Sequence, residues 1–164
     1  MSKQHRYTAT VRWIGNTGTG TQTYRGYKRD HMVEAEGKPT IAGSSDPHFR
    51  GDAARWNPEE LLVAALASCH QLAYLHLCAD AGVVVTVYED RAEGVMSENA
   101  DGSGEFTRVV LRPHVTIRAG NAQLARELHH RAHALCFIAR SVNFLVECEP
   151  AIRTEANDPQ PASI

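Results

Sequence analysis

Cysteine and histidine are the residue types in this sequence best suited to chemistry. The four cysteines stand at positions 69, 78, 136 and 148, and no two of them form a C-x-x-C pair. The N-terminus leads into no apolar secretory segment, so a structural disulfide framework is not expected. Redox or metal-ligand roles are the better interpretation of these thiols.

Cys69 follows an entirely apolar stretch, residues 61–67, within a predicted helix. A reactive thiol in such a place suggests a reaction site, although free cysteine often serves only as a small core residue. Cys78 lies nine residues further on, about 180° round a helix that turns by 100° per residue. We therefore expect that Cys69 and Cys78 do not share a site.

A second helix carries polar residues in one line, at spacings of four, seven and eleven residues: His129, His133, Cys136 and Arg140. Two imidazoles and a thiolate so spaced could bind zinc, with water as the fourth ligand. The same line also fits the wet edge of a helix. We expect no native metal ion on this line and keep a metal-binding module as an alternative.

The long first helix is the element that must position Cys69. Asn57 is a suitable N-cap, and Pro58 and Glu59 suit the first turn and the positive end of the helix dipole. Gly82 suits the C-terminal end. Because residues 61–67 are apolar on every face, we expect this helix to run through the core.

Alternating and turn-rich segments surround the two helices. Strands are predicted over 7–13, 21–27, 31–36, 83–96, 107–118 and 144–148. Residues 37–56 are predicted to form an irregular connection that carries Arg50 and Arg55, and the second helix is predicted to run from Asn121 to Val142. This order indicates an α+β fold with antiparallel strands around a long buried helix.

The chain length of 164 residues suggests one domain, which we place at residues 1–153, with a disordered tail at 154–164. A formal net charge of −2 without clusters of either sign favours neither nucleic acid nor an anionic membrane as a partner. No apolar run reaches the ~20 residues of a membrane helix. We expect a cytoplasmic protein.

The motif Asn57-Pro58-Glu59-Glu60-Leu61-Leu62, the alanines after it, and Cys69 with a second cysteine 67 residues later resemble one family. It is the osmotically inducible protein C and organic hydroperoxide resistance family (OsmC/Ohr). The resemblance covers nearly the whole chain in element order. It implies an OsmC-like α+β fold, an intertwined homodimer with two sites at its interface, and peroxidase activity on organic hydroperoxides that needs no cofactor.

The resemblance also assigns residues. Cys69 matches the family's peroxide-reacting cysteine, Cys136 its resolving cysteine, and Glu59 a carboxylate that holds an arginine over the thiolate. Phe49-Arg50-Gly51 resembles the OsmC branch and makes Arg50 our preferred arginine, whereas the Ohr branch would draw on Arg25. The chain departs from the family at Phe137, where proline is usual, and at His70.

The reaction implied is attack of a thiolate on the peroxide, followed by disulfide formation. A dithiol such as a lipoyl group would then restore the thiols. We expect apolar walls from Leu62, Leu66 and Leu72 to favour hydroperoxides with carbon tails. The second candidate function is that of a non-catalytic dimer that binds an apolar small molecule. The third candidate is a metal-binding module on His129, His133 and Cys136.

Overall fold

The structure is a computed structural model that describes residues 3–155. The chain divides into two compact units, residues 1–62 and 63–164. The prediction of a single domain over residues 1–153 stays a prediction. Of the predicted tail, residues 156–164 lie outside the described part of the chain, and Thr154 closes a strand.

Three short antiparallel strands form the sheet of the first unit. Strand β1 spans Thr10–Trp13, β2 spans His31–Glu34 and β3 spans Ile41–Gly43, in the order β1-β2-β3. The prediction of an irregular connection over 37–56 is wrong at β3. Three residues are too few to show an alternation in sequence, and Gly43 lies directly against the ring of His31 on β2.

The strand predicted over residues 21–27 does not form. The Arg29 guanidinium lies 4.3 Å and 4.2 Å from the ring centroids of Tyr24 and Tyr27. It donates hydrogen bonds to the carbonyl oxygens of the same two residues at 2.7 Å and 2.6 Å. Because a side chain satisfies these carbonyls, the segment turns instead of pairing with a strand.

Helix α1 spans Pro58–Asp80 and begins and ends where the sequence predicts. The Asn57 side-chain oxygen accepts a hydrogen bond from the Glu60 N–H at 2.7 Å, and the Asn57 N–H donates to the Glu60 carboxylate at 3.2 Å. This reciprocal capping box satisfies two backbone donors at the helix start. Gly82 adopts a φ of +70° just past the C-terminal end, a conformation that glycine reaches without strain.

In the single chain α1 is buried on one side only. Its buried residues are Leu66, His70, Tyr74, Leu77 and Cys78. The sequence predicts burial of residues 61–67 on every face, but of these only Leu66 is fully buried and Ala65 is exposed. Further along the helix, Leu72 is 69% exposed. By length and composition alone α1 could cross a membrane, with a mean hydropathy of 1.5 and 28% of the most apolar window buried, but core helices of soluble proteins meet the same criterion.

The second unit contains two mixed three-stranded sheets. Its strands are β4 Val84–Asp90, β5 Glu93–Glu98, β6 Gly104–Leu111, β7 Pro113–Ala119, β8 Leu145–Cys148 and β9 Ala151–Thr154. One sheet has the order β4-β7-β9 and the other β5-β6-β8. The hairpin pairs are antiparallel, as predicted, while β6–β8 and β7–β9 are parallel.

The predicted strands 83–96 and 107–118 are each broken into two, and each changes sheet at the break. The Asp90 carboxylate accepts the backbone N–H of Arg112 at 2.7 Å. Pro113, which follows, has no N–H to donate. The side-chain bond from Asp90 and the missing N–H of Pro113 both interrupt the pattern of backbone hydrogen bonds where the chain passes from one sheet to the other.

Helix α2 spans Ala122–Leu135 and is capped by the Asn121 side chain, which accepts the Leu124 N–H at 2.9 Å. The predicted extension to Val142 is wrong. Cys136 has extended backbone angles and leaves the helix, and a short 3-10 turn follows at Ala139–Ser141. The Ala139 N–H donates to the Cys136 sulfur at 3.4 Å, so the thiol helps to begin that turn.

The main core of the second unit packs both helices against the β4-β7-β9 sheet. Its buried members are Tyr74, Leu77, Cys78, Val83, Val115, Ile117, Ala125, Leu128 and Ala132. Cys78 is therefore a packed core residue, as its helical phase predicts. A smaller cluster of Leu66, Val109 and Leu111 packs against residues of the β5-β6-β8 sheet and the chain that follows α2.

Candidate active site

Cys69 and Cys136 are neighbours in the second unit, and both are free thiols. Cys69 lies on α1 and is partly exposed, while Cys136 lies just beyond α2 and is only 1% exposed. The early end of α2 produces this arrangement because it turns Cys136 away from the helical line on which the sequence places it. One thiol can therefore meet a solute while the other is enclosed beside it.

The environment of Cys136 keeps it protonated at neutral pH. Burial, as the larger cause, and the neighbouring Cys69 side chain together raise the pKa of Cys136 to about 11. Since the thiolate is the attacking form of cysteine, a thiol with so high a pKa is a poor first nucleophile. This pair can carry out a two-step reaction in which Cys69 reacts first and Cys136 second.

Arg50 is held in an unusual backbone conformation by a tight loop in the first unit. It has a φ of +67°, the only positive φ among the non-glycine residues that the structure describes. The Asp46 carbonyl accepts the Gly51 N–H at 3.0 Å, and its carboxylate accepts the His48 N–H at 2.7 Å. An exposed arginine held at such a backbone angle is a candidate functional residue.

Glu59 lies in the first turn of α1 and is half-buried. Its Oε2 atom is buried and has no hydrogen-bond partner within residues 3–155. Among those residues no ion pair joins Glu59 to Arg50, although both belong to the first unit. Arg25, the alternative arginine, is exposed within the turns that replace the predicted strand.

The leucines predicted to form apolar walls beside Cys69 differ in their exposure. Leu66 is fully buried in the smaller core cluster, and Leu72 is exposed. Leu135 and Phe137, which flank Cys136 in sequence, are 52% and 80% exposed. The exposed apolar residues next to Cys136 in sequence, Leu135 and Phe137, are therefore not among the wall residues that the sequence predicts.

The predicted line of His129, His133 and Cys136 does not form one site, because the helix ends before Cys136. His129 instead contacts His70 from α1. The Nε2 atom of His70 and the Nδ1 atom of His129 are 2.9 Å apart, joined by a hydrogen bond whose direction depends on the tautomers. Burial is the main cause that lowers the pKa of His70 to about 4 and that of His129 to about 3, so both rings are neutral at pH 7.

Cys148, at the end of β8, completes this second cluster. Its sulfur lies 3.6 Å from Nε2 of His70 and 3.9 Å from Nδ1 of His129. Burial first, then the charges of Asp90 and Glu149, raise its pKa to about 12. The sequence contains two separate signals for this cluster, His70 shortly after the apolar stretch of α1 and His129 on the polar line of α2.

Comparisons with known proteins agree with the fold and the order of its elements. A family model described as OsmC-like protein matches residues 51–150. The structure of an OsmC-like protein of unknown function from Vibrio cholerae is 35% identical, with a TM-score of 0.81 over 90% of this chain and 100% of that one.

More distant relatives share the fold. A crystal structure of an organic hydroperoxide resistance protein from Elizabethkingia anophelis, with thiocyanate bound, is 16% identical, with a TM-score of 0.65 over 94% of this chain and 99% of that one. The uncharacterized protein YmaD of Bacillus subtilis is 23% identical over 150 residues, which cover 88% of this chain and 91% of that protein. The predicted OsmC-like α+β fold is confirmed.

Proposed function

The chain belongs to the OsmC-like protein family, and we propose that it is a thiol peroxidase that reduces organic hydroperoxides to alcohols through Cys69 and Cys136. The observation that carries this proposal is the pairing of a partly exposed thiol with a buried, protonated one. This difference explains which of the two cysteines reacts first with the peroxide. Membership of a family that includes proteins named for organic hydroperoxide resistance adds support.

The reaction proceeds in two balanced steps. The Cys69 thiolate attacks the distal peroxide oxygen, the O–O bond breaks, and the leaving alkoxide takes a proton to become the alcohol. Cys69 is left as a sulfenic acid. The Cys136 thiol then attacks the Cys69 sulfur, forming a disulfide and releasing water before further oxidation occurs.

Arg50 is our candidate for the cation that stabilises the Cys69 thiolate. A guanidinium stays charged at all working pH values and can address a carboxylate and a sulfur together. Glu59 is the candidate carboxylate, supported by its buried and unpartnered Oε2. We propose that Arg50 and Glu59 come together across the subunits of a homodimer.

A dithiol such as a lipoyl group completes the cycle by exchange with the Cys69–Cys136 disulfide. A dithiol suits this step because its first thiol forms a mixed disulfide with the protein, and its second thiol then breaks that bond, releasing both cysteines as thiols and leaving a cyclic disulfide. We also propose a cytoplasmic location for the protein. No nucleic acid or membrane takes part in the proposed reaction.

The test is a peroxidase assay with cumene hydroperoxide and with hydrogen peroxide, using dihydrolipoamide as the reductant. We expect the organic peroxide to be the better substrate and Cys69→Ser to abolish turnover. Arg50→Ala should lower kcat/KM by about 100-fold, the usual cost of removing one charge-stabilising group, while Arg25→Ala should leave it unchanged.

Cys78→Ala is the matched control, because Cys78 lies in the main core and takes no part in the reaction. It should turn over at the wild-type rate if it folds. Loss of activity in Arg25→Ala alone would move the arginine assignment to Arg25. Absence of turnover in the wild-type protein with any dithiol would contradict the proposal and favour a protein that binds apolar molecules without reacting.

A further inference from the structure

The second cluster in the second unit brings three ligand atoms together from three different elements. His70 belongs to α1, His129 to α2 and Cys148 to β8. The three atoms, Nε2, Nδ1 and Sγ, all lie within 4.8 Å of one another. His129 is 59 positions from His70 in the sequence, and Cys148 is 78 positions from it. Local sequence spacing therefore does not explain why these side chains meet.

The separations between these atoms are close to those of a tetrahedral zinc site. With Zn–N of ~2.05 Å and Zn–S of ~2.3 Å, tetrahedral angles place the two nitrogens ~3.3 Å apart and each nitrogen ~3.6 Å from the sulfur. The observed values are 2.9 Å between the nitrogens, and 3.6 Å and 3.9 Å to the sulfur. To bind one ion, the two nitrogens must move apart by about 0.4 Å. The two rings are nearly parallel and these nitrogens face each other, so each ring must also turn by roughly 35° for both lone pairs to point at the ion.

The ring orientations are already fixed by packing. The His129 ring stacks on Tyr74 with centroids 3.8 Å apart and an interplanar angle of 11°. The His70 and His129 rings are within 6° of parallel. Both histidines are buried, at 0% and 2% exposure, so few alternative rotamers are open to them. Zinc binding therefore requires both rings to turn within a packed core, a cost that the zinc–ligand bonds must exceed.

The donor set selects the kind of ion. Imidazole and thiolate suit zinc and similar transition metals, whereas magnesium and calcium take oxygen ligands. In the hydrogen-bonded pair one of the two facing nitrogens carries a proton. Binding requires that proton to move to the other nitrogen of its ring, after which Nε2 of His70 and Nδ1 of His129 can both coordinate. A bound cation also removes the proton of Cys148, since a thiol that coordinates a metal ion is deprotonated.

Asp90 supplies further negative charge to this site. It is one of the groups that raise the pKa of Cys148, and its Oδ2 atom is buried without a hydrogen-bond partner within residues 3–155. A divalent cation with one thiolate carries a net charge of +1, which a nearby carboxylate can balance.

We infer that His70, His129 and Cys148 bind one zinc ion, at a site separate from the Cys69 and Cys136 pair. Binding displaces the Cys148 proton to solvent and places the ring protons on Nδ1 of His70 and Nε2 of His129. Three protein ligands leave the fourth tetrahedral position for a water molecule. The ion would tie α1, α2 and β8 together and stabilise the second unit.

The test uses Co²⁺ as a spectroscopic probe, titrated into metal-free protein that carries no histidine tag. We expect one Co²⁺ per chain, with the intense visible bands of tetrahedral coordination and a near-ultraviolet sulfur-to-cobalt charge-transfer band. Zn²⁺ should then displace Co²⁺ and abolish these bands. A wild-type protein that binds no Co²⁺, or gives only the weak bands of six-coordinate Co²⁺, would overturn the inference whatever the variants do.

Cys148→Ser and Cys136→Ser form the matched pair of variants. Cys148→Ser should remove the charge-transfer band and weaken Zn²⁺ binding by more than about 100-fold, since even outer-shell changes at zinc sites cost up to about that much. Cys136→Ser should keep both the band and the affinity. The opposite result would overturn the site in favour of the line His129, His133 and Cys136.

Discussion

At the scale of single residues, exposure distinguishes the two thiols of the candidate site. Cys69 is partly exposed to solvent, whereas the neighbouring Cys136 is buried. The sequence places both cysteines on helices and cannot show that α2 ends at Leu135. The contact therefore depends on a helix end that no glycine or proline marks.

Removing the second thiol should trap the first intermediate. In Cys136→Ser, we expect one equivalent of cumene hydroperoxide to leave a sulfenic acid on Cys69, because no neighbouring thiol condenses with it. Labelling with dimedone, followed by peptide mass spectrometry, measures this product. Wild-type protein is the control and should show far less label; a Cys136→Ser protein with an unlabelled Cys69 would contradict the assigned order.

The pKa of Cys136 gives a pH-dependent prediction. In Cys69→Ala, the pKa of Cys136 should fall below about 11 but stay above its ordinary value of 9.0, since burial, the larger cause, remains. The rate of Cys136 alkylation should therefore rise with pH throughout the range below that pKa. Peptide-resolved alkylation by iodoacetamide measures it, and a half-maximal rate below pH 9 would be the contrary result.

At the same scale, the histidines show what spacing cannot decide. His129 and His133 share a helix face, yet His129 contacts His70 from another helix. Helical periodicity relates residues within one helix only. It therefore cannot predict that His129 contacts a residue 59 positions away on another helix. The sequence therefore found two of the chemical side chains of the second cluster but not their association.

At the scale of elements, the loop of residues 46–51 fixes the backbone of Arg50. A methyl group at Gly51 would lie 1.4 Å from the carbonyl oxygen of Ser45, so the two backbone segments approach too closely for any side chain. We expect Gly51→Ala to displace the loop and to lower the free energy of unfolding by more than about 1 kcal/mol. Peroxidase kcat/KM should fall as it does in Arg50→Ala.

Gly37→Asn is the control for that variant. Gly37 has a φ of +70°, but nothing lies within 4 Å of the position a Cβ would take, and asparagine tolerates this conformation. It should keep both stability and activity. Wild-type kcat/KM in Gly51→Ala would contradict the role given to this loop.

The elements also show how far sequence reasoning reaches. Helix α1 carries its own start and end signals at Asn57, Pro58 and Gly82, and it forms where they predict. The breaks at Asp90 and Arg112 instead depend on one hydrogen bond between different strands. Such a bond exists only once the strands have paired, so alternation in the sequence continues across it.

At the scale of the whole molecule, several large apolar side chains are exposed in the single chain. Tyr7 and Phe137 are among the most exposed, at 91% and 80%, and Leu72 on α1 is 69% exposed. In the homodimer that the family resemblance implies, such side chains are candidates for the subunit interface. A partner subunit that covers them would also complete the burial predicted for α1.

We therefore expect a homodimer in solution. Obligate interfaces commonly bury more than about 2,000 Å², and such chains often have no stable folded monomer. Sedimentation equilibrium at micromolar concentration should give twice the mass of one chain, 18.0 kDa. Val11→Lys and Tyr7→Lys at exposed strand and N-terminal positions test which surface is covered; a cooperatively folded wild-type monomer at that concentration would refute the dimer.

The central claim is that Cys69 and Cys136 react as one redox pair, and the most direct measurement maps the disulfide formed by peroxide. Reduced protein is treated with one equivalent of cumene hydroperoxide, its remaining thiols are alkylated, and the peptides are identified by mass spectrometry. The account predicts a Cys69–Cys136 disulfide as the main product, reversed by dihydrolipoamide, with Cys78 and Cys148 unoxidised. A main product that joins Cys69 to Cys78, or Cys136 to Cys148, would contradict it.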